Sequence, residues 1–322
     1  MARNTETSSA RERARKLQQQ QERRQKRASL VLPVIVTVLA VAVIGGLFWW
    51  VVAREGEGAN YTEGPAPAVA NEHGGITLTS STEIAEGDDL GTIDADELPE
   101  TDGIGTTPRE EGEPPHVIIY TDPGCPVCQQ MEEQYADTMA ELVDDGLITL
   151  EYRTVAVVPS QSNYSFRANN AIACMAEESP ENYKSYLTHI TSTYAQAEAD
   201  NETLAAVARN AYDVDISECI EEGTFRPFAS YTHNVASEVA ASDERFGGGL
   251  GTPSVFIDDS QNYGLDFIGP LLEAVGEYGE EIGEDLDADE LEEEAEEDAD
   301  EAETDADEET DAEETTEDDD AE

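Results

Sequence analysis

Apolar and polar positions follow different rhythms along this chain, and the changes of rhythm divide it. Leu30 to Val52 runs 23 residues without a charge. As a helix rising 1.5 Å per residue, such a run spans a hydrocarbon core of roughly 30 Å. Residues 54 to 113 are polar, apart from Gly74-Gly75-Ile76-Thr77-Leu78-Thr79, which alternates like a short strand after a turn and is a possible first strand over 74–80. His116-Val117-Ile118-Ile119-Tyr120 is a short apolar run that predicts a buried strand. Gln129 to Val143 then repeats Met131, Tyr135, Met139, Leu142 and Val143 on one helical face. Leu147 to Val158, rich in Ile, Thr, Val and Tyr, predicts a second strand. Strand, helix and strand within about 45 residues make a βαβ unit with a parallel pair.

Helical spacing takes over after that. Tyr164–Ala176, Glu181–Tyr194, Glu202–Tyr212 and Pro227–Ala241 carry it, with Asn201 as the expected N-cap of the third. A glycine-rich turn, Gly247-Gly248-Gly249-Leu250-Gly251-Thr252-Pro253, leads into an apolar strand, Ser254-Val255-Phe256-Ile257. A weaker strand at Leu265–Ile268 and a short helix at Pro270–Tyr278 complete the expected domain.

Charge sharpens the division. The formal net charge is -57 over 322 residues. Residues 1–29 carry nine Lys/Arg against three Glu, whereas 280–322 carry 28 Asp/Glu and no Lys or Arg, which leaves about -35 on the middle. Such a surface excludes a nucleic-acid binder, which needs basic partners for phosphates. It suits either work in high salt, where screening tolerates self-repulsion, or plain acidic solubility. The basic flank places residues 1–29 in the cytoplasm, 30–53 as a single transmembrane anchor with Trp49 and Trp50 at its far interface, and all that follows outside. A cleaved signal ending at Val51-x-Ala53 is the rival, but its basic region and apolar run are both long for one. The expected order is therefore a basic tail (1–29), an anchor (30–53), an acidic flexible linker (54–113), a folded domain (114–278) and a disordered acidic tail (279–322).

The chemistry lies in Asp122-Pro123-Gly124-Cys125-Pro126-Val127-Cys128, where the first strand hands over to the helix. Unpaired N–H groups and the helix dipole favour an anion there, and a thiolate is the anion that redox chemistry needs. A Cys-x-x-Cys is also half a zinc site, but Cys174 and Cys219 are 45 residues apart and the four histidines stand singly. A structural Cys125–Cys128 bridge would close too small a loop to constrain an unfolded chain much. A redox pair is the reading that the strand-to-helix setting favours.

Strand, Cys-Pro-Val-Cys, helix, strand, helices and then Gly251-Thr252-Pro253-Ser254-Val255-Phe256-Ile257 resembles the thioredoxin superfamily. More narrowly, with Tyr164-Ser165-Phe166-Arg167-Ala168 leading to Cys174, it resembles the DsbA-like thiol–disulfide oxidoreductases in their membrane-anchored actinobacterial form. The resemblance covers about residues 72–278. It implies an α/β thioredoxin-like fold with a helical insertion at about 160–243, between the βαβ unit and the cis-proline strand. It makes Cys125 the exposed nucleophile, Cys128 the buried resolving thiol, Pro126 and Val127 the active-site dipeptide, Thr252 and Pro253 a substrate-binding cis-proline turn, and Cys174–Cys219 a structural disulfide; buried free thiols are the alternative for the last pair. It implies no cofactor beyond the redox-active disulfide. Its implied partners are reduced exported proteins as substrates and a quinone-linked membrane reoxidant, VKOR-like or DsbB-like. Where the best-known DsbA pattern has Pro-His, this chain has Pro126-Val127, so the expected thiolate is less extreme and the pair less oxidising. A same-fold reductase or isomerase, and a non-catalytic binding module, stand as alternatives to a disulfide donor.

Overall fold

A computed structural model describes residues 61–99, 103–106 and 108–284, with Leu286, Leu291 and Ala295 beyond them. The basic tail, the anchor expected at 30–53 and most of the acidic tail lie outside the described residues. Among the described residues no helix is long and apolar enough to cross a membrane.

In chain order the elements are β1 (Glu63–Pro65), β2 (Ile76–Ser80), β3 (Glu83–Ile84), β4 (Thr92–Asp94), β5 (His116–Thr121), α1 (Pro126–Asp144), β6 (Thr149–Thr154), α2 (Tyr164–Glu178), α3 (Tyr183–Tyr194), α4 (Asn201–Tyr212), α5 (Ser217–Glu222), α6 (Arg226–Ser242), β7 (Ser254–Ile257) and α7 (Ile268–Ile282). The main sheet has the order β3-β2-β6-β5-β7. Its centre is the parallel pair β5–β6, in register as Ile119 opposite Tyr152, with α1 as the crossover that a parallel pair requires. β2 and β7 add antiparallel on either side. The free edge of β7 is closed by its own following loop: Val255 N–H donates to Asn262 Oδ1 and Ile257 N–H to Ser260 Oγ.

Alternation along β6 sends its side chains to two different environments. Leu150 and Tyr152 are buried, and Tyr152 meets Glu132 of α1 on one face. Glu151 and Arg153 are buried on the other, where Arg153 Nε donates to Glu151 Oε1 at 2.5 Å and its Nη1 donates to Tyr120 Oη and the Ile104 carbonyl. Burial alone would raise the Glu151 pKa; the Arg153 charge, helped by His116, more than offsets it and holds the carboxyl well below the usual range.

That ion pair explains the main departure from the sequence reading. Residues 54–113 were expected to form a flexible linker with one strand, but 61–99 and 103–106 are folded onto the domain. Ala70, Ile76, Leu78, Ala95 and Ile104 are buried, and β1 pairs with β4 while β2 pairs with β6. The segment supplies carbonyl and hydroxyl partners (Ile104 O, Thr77 Oγ1) to a charged pair that could not stay buried bare. Three smaller expectations also change. Leu265–Ile268 is a turn entering α7, in which Phe267 is buried edge-on to Tyr135. The N-cap of α4 is Asp200, whose carboxylate accepts from Thr203 N–H, and Asn201 is the first helical residue. The second strand is cut back to Thr149–Thr154, because beyond it Val157 and Val158 donate to the Asp122 side chain.

Candidate active site

The end of β5, the start of α1, the loop after β6 and the turn before β7 converge on Cys125 and Cys128. Cys125 is the N-cap of α1 in extended conformation, and Pro126 occupies the first helical turn, where its missing N–H costs nothing. Both thiols are free. Cys125 is 6 % exposed and Cys128 fully buried, while Val127 between them is 41 % exposed. The peptide bond Thr252–Pro253 is cis, and Cys125 Sγ donates to the Thr252 carbonyl at 3.4 Å. Pro253 therefore belongs to the turn that faces the dithiol. That turn is braced by Ser254 Oγ donating to Gly251 O and by Asn262 Nδ2 donating to Ser254 Oγ.

The two thiols are unequal. A hydrogen bond from the Cys128 thiol lowers the Cys125 pKa to about 6; burial opposes this, and Thr252 with the Cys128 and Val127 N–H groups reinforces it. Cys128 moves the other way, chiefly through burial and then through its proximity to Cys125. Cys125, expected as an exposed nucleophile, is buried under the cis-proline turn, yet its sulfur is the easier thiolate, which suits it to be the attacked end of a disulfide and the better leaving group.

Asp122 was not singled out from the sequence. It is fully buried, and its carboxylate accepts from Gly124 N–H at 2.8 Å through Oδ1 and from Val157 and Val158 N–H at 2.7 and 2.8 Å through Oδ2. It ties the cysteine loop to the loop after β6. Desolvation raises its pKa against those three hydrogen bonds. Gly124 fits because a Cβ there would come within 2.7 Å of Ser165 Oγ on α2. The available signal was an acid at the end of an apolar strand, three residues before the first cysteine.

Cys174 and Cys219 lie away from this constellation, in α2 and α5. They form a disulfide with an S–S length of 2.01 Å. Among the described residues no group of three or more His, Cys, Asp or Glu is placed to hold a metal ion.

The sheet, the strand-to-helix dithiol and the facing cis-proline turn define a thioredoxin-type redox domain. Residues 110–265 match the family model described as Thioredoxin. Among solved structures the chain is similar to oxidised Mtb DsbA (25 % identity, TM-score 0.48, 69 % of this chain and 99 % of that one). It is also similar to reduced DsbA from Mycobacterium tuberculosis (26 %, TM-score 0.46, 61 % and 96 %). A third is MdbA of Corynebacterium diphtheriae, a thiol–disulfide oxidoreductase (17 %, TM-score 0.41, 62 % and 93 %). No curated protein matches.

Proposed function

We propose that this protein is an extracytoplasmic thiol–disulfide oxidoreductase, held to the membrane by residues 30–53, that introduces disulfides into exported proteins. The observation that carries the reading is the unequal dithiol at the start of α1, with Cys125 Sγ 3.4 Å from the Thr252 carbonyl. In the forward reaction a substrate thiolate attacks Cys125 Sγ of the Cys125–Cys128 disulfide. The S–S bond breaks, a mixed disulfide forms, and its electron pair leaves on Cys128, which takes up a proton. A second substrate thiolate then attacks the substrate sulfur and expels the Cys125 thiolate. The substrate loses two electrons and two protons; the protein holds them as a dithiol. A quinone-linked membrane protein of the VKOR or DsbB type removes them, and a shared membrane raises the effective concentration of the two partners.

The reduction potential of Cys125–Cys128 tests the direction. A value on the order of -120 to -180 mV in glutathione buffers supports a disulfide donor. A value near about -270 mV assigns a reductase instead. Absence of any exchange leaves a binding module.

A further inference from the structure

We infer that Arg226, together with Phe166 and Tyr61, forms a subsite for a carboxylate-bearing peptide segment on the helical side of the dithiol. The described residues include seven Lys and Arg. Arg109, Arg153, Arg209 and Arg245 each pair with a carboxylate. Arg167 donates to the carbonyls of Ser162 and Ala199 and to Asn201 Oδ1, and Lys184 Nζ donates to the Ala136 carbonyl. Of these seven side chains among the described residues, that of Arg226 alone makes neither a hydrogen bond nor an ion pair. Its guanidinium carbon lies 4.8 Å from the Tyr61 ring centre and 6.0 Å from that of Phe166. A chain with 74 Asp and Glu does not leave an arginine unpaired for want of carboxylates.

The surroundings are shaped for it. Gly223, at φ +66°, lets the chain pass so close that a Cβ there would come within 2.9 Å of Arg226 Cγ and 3.0 Å of Tyr61 Cε1. Rings against a guanidinium favour its charge while leaving the in-plane fork of N–H donors unused, and a carboxylate matches that fork in two parallel hydrogen bonds. Partial burial pulls the arginine pKa down and the nearby Arg167 charge pulls the same way, so an arriving anion would relieve a cost already present in the free protein.

The subsite is connected to the redox centre. Phe166 follows Ser165, which lies against Gly124, the residue before Cys125. The His233 ring stands edge-on to Phe166 at 5.7 Å and its Nδ1 accepts from Ala156 N–H, next to the Val157 and Val158 amides that bind Asp122. The placement rests on the exchange reading above and deepens it: a substrate presenting an acidic residue near its thiol would be held while its sulfur meets Cys125.

The test is binding of a fluorescent, cysteine-free peptide of alternating Glu and Ser to the full chain, beside the same peptide with Gln for Glu. Because neither peptide can exchange thiols, failure of the redox reading does not enter the result. The expected outcome is at least tenfold tighter binding of the Glu peptide. That preference is lost in Arg226→Gln and only partly kept in Arg226→Lys, which has the charge but not the fork. Equal binding of the two peptides by the unaltered chain overturns the proposal without any variant. So does a preference that survives Arg226→Gln. Replacing Asp and Glu of 301–322 by Asn and Gln separates two sources of the carboxylate: tighter binding of the added peptide assigns the subsite to the chain's own tail, and unchanged binding assigns it to another protein. With cysteine-containing versions, Arg226→Gln lowers kcat/KM at least fivefold for the acidic peptide and leaves the neutral one unchanged; an equal loss for both reduces Arg226 to a structural role.

Discussion

The two cysteine pairs of this domain are chemically the same and are held in opposite ways. Cys125 and Cys128 are three residues apart, free, and set at a helix start with an open valine between them. Cys174 and Cys219 are 45 apart, bonded, and join two helices of the insertion. Loop length separates them first: a bridge closing 45 residues removes about 4 kcal/mol of unfolded-state entropy, whereas one closing a four-residue loop removes roughly half that. Setting separates them next. The first pair has a helix N-terminus, a neighbouring thiol and the Thr252 side chain to stabilise one thiolate over the other, and Cys174 is buried in the apolar core of the insertion. Asymmetry between the partners therefore suits the first pair to the proposed exchange, and the length of chain enclosed suits the second to a structural task.

Substitutions and a change of pH probe that contrast. Cys125→Ser should drop thiol exchange by about 10³-fold or more, to background, while Cys128→Ser should accumulate mixed disulfides visible by mass spectrometry of the intact protein. Replacing Cys174 and Cys219 together by Ala should lower unfolding free energy in urea by about 4 kcal/mol and leave the alkylation rate of Cys125 within about twofold; a large fall in that rate would erase the division of labour. Asp122→Asn should cost about 1–3 kcal/mol, because an amide nitrogen would face N–H donors of the loop after β6.

Alkylation of Cys125 should rise about tenfold per pH unit up to about 6 and then level off. The same shift has a thermodynamic side. A thiol whose folded pKa of about 6 lies below its unfolded value of about 8.5 adds stability to the reduced form that is complete above the unfolded value and is lost as pH falls through the folded one. The disulfide form has no such thiol, so the Tm difference between reduced and oxidised protein should change between those two pH values. The smallest effect is expected from Val127→His, whose protonated ring would favour the thiolate: about threefold in equilibrium constant, or roughly 15 mV toward more oxidising.

Much of this was legible because the informative signals are local. The run His116–Tyr120, the helical face of Met131 and Met139, and Ser254–Ile257 after a glycine-rich turn each gave an element where the structure has one. Of the segment 61–106 only the strand expected at 74–80 was legible, as Ile76–Ser80. Its other buried residues (Ala70, Ile93, Ala95, Ile104) are spaced too widely among polar residues to show a period, and their burial depends on residues far along the chain. α5 is six residues, too short for helical spacing to register. Glu151 and Arg153 look like a solvated strand face, and only the folded partners Ile104, Tyr120 and Thr77 turn that face inward. Asp122 failed to register for a related reason: its three amide donors come from two loops that the fold alone brings together.

The antiparallel addition of β2 to β6 carries a practical consequence for anyone dissecting the chain. A fragment starting at residue 110, where the family match starts, would begin after β2, β4 and Ile104. One flank of β6 would become a bare row of backbone donors and acceptors, inviting self-association by strand pairing. Arg153 and Glu151 would meet water from a side built to be dry. The smallest stable folding unit is therefore wider than the recognisable one, and cuts between Tyr61 and the first cysteine would open its sheet.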